Sequence, residues 1–185
     1  MDTQPNDLWA RPDIARVRSR VARLFGLHHN QRSAGTQSVW WLGRVPEGWQ
    51  LVNDVPLGED GSIIDHLVVG PIGVFTVHAK NVSGSVWVGT SGVRVNGHTT
   101  DFVPNLVHEA KSASRLLSAA LDRRVNVRPV LAILADAWTV QEPHDDVFIG
   151  APRAVRDWLL RLPTVMEPDE VALVTDAATM SMTWE

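Results

Sequence analysis

The chain of 185 residues contains no cysteine. Disulfides, thiolate metal sites and cysteine nucleophiles are therefore excluded, and a core of ordinary packing has to hold the fold. Tyrosine is absent too, beside eight tryptophans, and no function follows from that aromatic choice. No apolar run approaches the ~18 residues of a membrane span. The opening MDTQPNDLWARPD is acidic and polar, without the basic start and apolar stretch of a secretory leader. Together with the missing thiols, this points to a cytoplasmic protein. The GxSxG, P-loop and GxGxxG patterns are missing, which removes the hydrolase elbow and the nucleotide cradle. A basic excess, common among nucleic-acid binders, is lacking as well: the formal net charge is −4.

What is present is a hydrophobic content of 44%, enough for one globular domain with small appendages. Residues 1–10 read as a flexible tail. Pro12 and Asp13 suit the first turn of a helix reaching Phe25, which Gly26 can end. Residues 11–34, this helix and a polar loop, are locally basic. Arg16, Arg20 and Arg23 share one helical stripe, which reads either as a track for a phosphate backbone or as a solvated face.

Residues 35–184 form the main domain. Trp49–Leu57, Ile63–Val69 and Val74–Lys80 read as strands, the last two joined by a Gly-Pro-x-Gly turn. Ser85–Gly89 and Gly92–Asn96 read as a hairpin, and a second turn follows at Asn96-Gly97. Pro104–Arg123 is the strongest helix, with Leu106, Val107, Ala110, Leu117, Ala120 and Leu121 at helical spacing. Val127–Leu134 reads as a buried strand and Val147–Ile149 as a short one. Ala151–Leu162 and Pro168–Met180 read as helices opened by prolines. This order predicts an α/β fold, a central mixed sheet flanked by helices.

The polar residues of the central strands carry the chemical interest. Strand side chains alternate between faces, so Val74, Thr76, His78 and Lys80 share one face, while Phe75, Val77 and Ala79 share the other. An antiparallel hairpin across residues 70–73 sets Asp65 opposite positions 78–80. Asp65, His78 and Lys80 then converge at the end of a strand. Asp65 and Lys80 read either as a cross-strand ion pair or as part of a phosphodiester-cleaving site. In such a site a carboxylate holds a divalent metal and a lysine stabilises developing charge. His66 falls on the opposite face and reads as a hydrogen-bonded packing residue. Asp145-Asp146, beside His144, reads as a solvated turn.

The string EGWQLVNDVPL…IIDHLVVGPIGVFTVHAKNVSGSVWVG resembles the nuclease-related domain family, in the form met among actinobacteria. The likeness covers residues 35–120 and continues towards Trp184. It implies a fold related to PD-(D/E)XK nucleases, with active-site residues on a central hairpin. Residue by residue, Asp65 matches the family's Asp and Lys80 its Lys. His78 stands where (D/E)-x-K has an acid, and the expected upstream Glu falls at Thr36 or Gln37.

Two usual carboxylates are thus replaced. Glu109, on the following helix, is the candidate second carboxylate; its alternative is a solvated helix face. The resemblance implies Mg²⁺ or Mn²⁺ held through Asp65; with His78 and Glu109 compensating for the replaced carboxylates, Asp65, His78 and Glu109 are the candidate ligands, and an imidazole in that set suits Mn²⁺ better than Mg²⁺. The partner implied is nucleic acid, with DNA foremost. The competing expectation is a nuclease-fold domain without catalysis that binds nucleic acid or a protein.

Overall fold

A computed structural model describes residues 45–57 and 62–184. The helix expected from Pro12 to Phe25, with Arg16, Arg20 and Arg23, lies outside the described residues, as do Thr36 and Gln37. Among the described residues two mixed sheets and three α-helices form an α/β fold, as expected.

The larger sheet holds β1 (Gln50–Leu57), β2 (Ser62–Gly70), β3 (Gly73–Asn81), β7 (Val127–Leu134) and β9 (Phe148–Gly150), in that spatial order. β1, β2 and β3 are antiparallel neighbours, while β3, β7 and β9 run parallel. The smaller sheet orders β6 (His98–Thr99), β5 (Gly92–Val95), β4 (Ser85–Gly89) and β8 (Ala137–Val140). β6 and β8 were not read from sequence. One is two residues long and exposed; the other is a four-residue strand that is only half buried. Neither carries the apolar run that marks a strand.

The central hairpin turns at Pro71-Ile72, between the paired Gly70 and Gly73. Each glycine has its own reason. Gly73 has φ 114°, a conformation that side chains disfavour. A Cβ on Gly70 would stand 3.1 Å from the Trp49 ring, which lies against the turn. The leading tryptophan and the Gly-Pro-x-Gly turn are therefore one packing unit. The Pro71 carbonyl accepts from the amides of Val165 and Met166, which ties the turn to the far end of the chain.

α1 (Phe102–Ala120) lies in the crossover between the parallel strands β3 and β7, so it packs back across the sheet. Its first half, Val103 and Leu106, clusters with Leu131 and Ile133 near the end of β7. Its second half, Ala113, Leu116 and Leu117, clusters with Val74 and Val127 near the strand starts. The helix thus runs antiparallel to the strands beneath it. It ends at Ala120 rather than Arg123, because Asp122 takes a left-handed φ of 48°, and Ala120, expected in the core, is exposed.

α2 (Pro152–Leu159) covers the other face, packing Val155 and Leu159 on Val68, Phe75, Val77 and Val130. α3 (Pro168–Thr179) joins α1 on the first face through Val171 and Val174. Both helices end earlier than read from sequence.

Phe75 is fully buried between Trp158, edge-on at 5.9 Å, and the Arg128 guanidinium, 4.5 Å from its ring centre. Phe75→Ala is expected to lower the unfolding free energy by roughly 3–5 kcal/mol. Leu173→Ala, at a largely exposed helix position, should stay within about 0.5 kcal/mol. Urea denaturation of the two variants checks this; equal effects would mean that the two-sided core is wrongly drawn.

Candidate functional site

β2 and β3 bring the site together. The ladder pairs His66 with Val77, so Asp65 stands one step further along, opposite His78. On the other edge of β2 the ladder pairs Asn53 with His66 and Val55 with Ile64. Between them Asp54 takes a left-handed φ of 53°, an irregularity directly across from Asp65.

Beside His78 and Lys80 in β3 lie Leu131 and Ile133 of β7. Above them passes the first half of α1. Glu109 belongs to the inward line Leu106, Glu109, Ala113, Leu116, at spacings of three and four, and so projects onto the strand end.

The outcome is an imidazole between two carboxylates. His78 Nδ1 lies 3.1 Å from Asp65 Oδ2, and His78 Nε2 lies 2.6 Å from Glu109 Oε2. The second approach is short but misaligned. Nε2 and Oε2 are buried and make no properly directed hydrogen bond, so theirs is a charge contact. The His78 side chain is only 7% exposed, that of Glu109 16% and that of Asp65 28%.

The solvated-face reading of Glu109 is therefore overturned. So is the cross-strand pair of Asp65 with Lys80, because Asp65 pairs with His78. Lys80 makes no ion pair within 4.0 Å among the described residues, yet its charge still reaches Asp65. The outward face of β3, read as turning polar towards its end, does so under cover of α1.

Electrostatics follow from this geometry. Burial alone would pull His78 down, but the close contacts with Asp65 and Glu109 and the charges of both carboxylates outweigh it and push the imidazole to about 9. Burial pulls Asp65 up. The His78 contact, together with the charges of His78, Lys80 and His66, overcomes that and holds it below the usual carboxylate range. On the other face His66 is fully buried, and its Nδ1 donates to Asn53 Oδ1 at 2.8 Å. Burial lowers its pKa against the opposing pull of Asp65. His66 is the packing residue that its strand position implied. Asp146 and His144 sit in an exposed turn, where the Asp146 amide donates to His144 Nδ1.

As arranged, the three residues do not fit a metal ion. Both imidazole nitrogens face carboxylates, and the ring fills the space where two carboxylates would share a cation. No group of three ligating side chains suited to a metal occurs among the described residues. What the corner holds is a buried positive charge carried by the protein itself.

An α/β sheet whose central hairpin places an Asp and a Lys at adjoining strand ends defines a nuclease-like domain. The chain matches the nuclease-related domain family over residues 32–134, more than half its length, and belongs to that family. Comparison with curated proteins and with solved structures yields no significant match. Among the described residues no helix is long and apolar enough to cross a membrane.

His78 titrates in an accessible window. Its pKa is raised on folding, so its contribution to stability is complete below the unfolded value of ~6.5 and is lost as pH rises through about 9. The contribution is on the order of 3 kcal/mol. The lowered Asp65 describes the same contact from its other partner and is not added to it. Urea denaturation between pH 6 and roughly pH 10 should show wild-type stability falling across this window, while His78→Gln should be flat there. Parallel profiles would refute the charged contact.

Proposed function

We propose that this domain engages nucleic acid through a nuclease-type fold in which an imidazolium replaces the metal ion at the strand-end corner. One observation carries the reading: His78 stands between Asp65 and Glu109 and touches both. In the (D/E)-x-K pattern position 78 is itself a carboxylate, and the acids are joined by an ion from solution. Here the joining cation is part of β3. Metal-assisted hydrolysis uses carboxylates to fix an ion and orient water, and with both carboxylates engaged by His78, neither is free for that work. Lys80, on the same strand face and without an ion pair among the described residues, remains available to a phosphate oxygen. The function supported is binding of the phosphate backbone without metal-dependent turnover.

The second reading, a metal-dependent nuclease with an altered ligand set, draws on a different observation. The chain keeps both Asp65 and Lys80, and Asp65 is the most exposed member of the cluster. Asp65, His78 and Glu109 would be the ligands, and His78 would have to give up at least one of its contacts.

Gel retardation and cleavage of labelled single- and double-stranded DNA and RNA, with Mg²⁺, Mn²⁺ or EDTA, separate the two. The expected result is retardation in EDTA and intact substrate under every metal. Mn²⁺-dependent cleavage by the wild type, abolished in Asp65→Asn and in Lys80→Ala, would replace the first reading by the second.

A companion test uses His78→Asp, which removes the built-in cation and leaves three acids together. Its melting temperature is expected to rise on adding Mn²⁺ by several degrees more than that of the wild type. An equal response in both would show that His78 does not occupy the cation position.

A further inference from the structure

Away from the strand-end corner, a groove of about 520 Å³ lies between the outer side of α1, the loop at residues 124–126 and the start of β7. Its floor is stitched together. Ser114 Oγ accepts from the Val127 amide at 2.8 Å, and Ser118 Oγ accepts from the Val125 amide at 2.8 Å. Ser118 Oγ in turn donates to the Ser114 carbonyl at 2.6 Å. These bonds fix the distance between helix and strand entry, so the groove exists before any ligand arrives.

Besides Arg128, three cations line it: Lys111 and Arg115, one turn apart on α1, and Arg124 from the loop. None makes an ion pair within 4.0 Å among the described residues. Asp146 is the one acid in the lining. Arg128 also lines the groove, but its guanidinium is committed elsewhere, over Phe75 and to the Ile72 carbonyl.

Cations that repel one another, make no ion pair among the described residues and stand over a fixed floor are arranged for an anion. Two of them follow the helix axis, which suits an extended polyanion better than a single small ion. Lys111 lies two residues beyond Glu109 and therefore about 200° round α1 from it, so the cation row and the His78 corner occupy opposite flanks of the helix.

We propose that this groove binds the sugar–phosphate backbone of a nucleic-acid strand, with Lys111, Arg115 and Arg124 as its phosphate contacts. The proposal rests on the nucleic-acid reading above and adds to it the surface that supplies affinity.

The test is fluorescence anisotropy with a labelled oligonucleotide, single-stranded and duplex, in EDTA across a salt series. The triple variant Lys111→Gln/Arg115→Gln/Arg124→Gln is compared with wild type. A control variant, Arg153→Gln/Arg161→Gln, removes exposed cations at α2 on the other side of the large sheet. Urea denaturation verifies that both variants are folded. The triple variant is expected to bind at least tenfold more weakly, with a log–log salt slope smaller by about 3 for duplex and about 2 for single strands. The control should match wild type.

Wild-type binding that the triple variant retains, with the same slope, overturns the groove and leaves the nucleic-acid reading standing. An equal loss in the control also overturns the groove, because affinity would then follow total charge. Absence of wild-type binding overturns the nucleic-acid reading and the groove together.

Discussion

The contact of His78 with Asp65 and Glu109 is the constraint around which this fold closes. It joins three elements that are distant in sequence: β2, β3 and the helix that crosses above them. An ionised carboxylate under a helix is costly unless it is paired, and a buried imidazolium is costly for the same reason. Together they offset each other's desolvation only in one rotation and height of α1. Leu106, Ala113 and Leu116 hold the helix at that height through apolar packing, and Glu109 sits in their line. Packing and charge therefore agree on one placement. The short but misaligned approach of Glu109 to Nε2 is the geometry at which apolar packing and charge meet.

The division of labour across the large sheet follows from β3. Its Phe75 and Val77 belong to a core shared with α2, while Val74 belongs to the core under α1. A strand covered on both faces ordinarily reads as continuously apolar. β3 departs from that pattern on one face only, at Thr76, His78 and Lys80, towards its C-terminal end. That end of a parallel pair is where α/β sheets leave room for ligands, since the crossover helix begins rather than ends there. The two lysines of the chain, Lys80 and Lys111, are placed at this end and on the helix above it; every other cationic side chain of fixed charge is arginine.

Much of this arrangement was legible in the residues. Alternation in 74–80 and the Gly-Pro-x-Gly turn were enough to place Asp65 opposite positions 78–80, because a two-residue turn leaves little freedom of register. β7 was legible because it is buried on both faces. Glu109 was harder. A single acid in a helix is most often solvated, and its position in the apolar line was the available signal, which can be used only once a partner such as His78 is considered for it. The identity of that partner depends on the crossover, which brings a helix some thirty residues downstream over the strand end. β8 was not legible for a different reason: it exists by pairing with β4, and its own side chains bury little.

The same distinction between local and summed properties bears on charge. A net of −4 suggests a poor ligand for nucleic acid if charge is spread evenly. At physiological ionic strength, however, exposed charges are screened beyond about 8 Å. A phosphate in the groove by α1 therefore responds to Lys111, Arg115, Arg124 and Asp146 far more than to acids on the opposite face. The acidic residues of α3, such as Glu170 in its capping box and its ion pair with Arg123, serve the helix start and lie outside that lining. An acidic protein can thus present a basic groove among its described residues. Attraction along that groove acts on a strand before any specific contact is made.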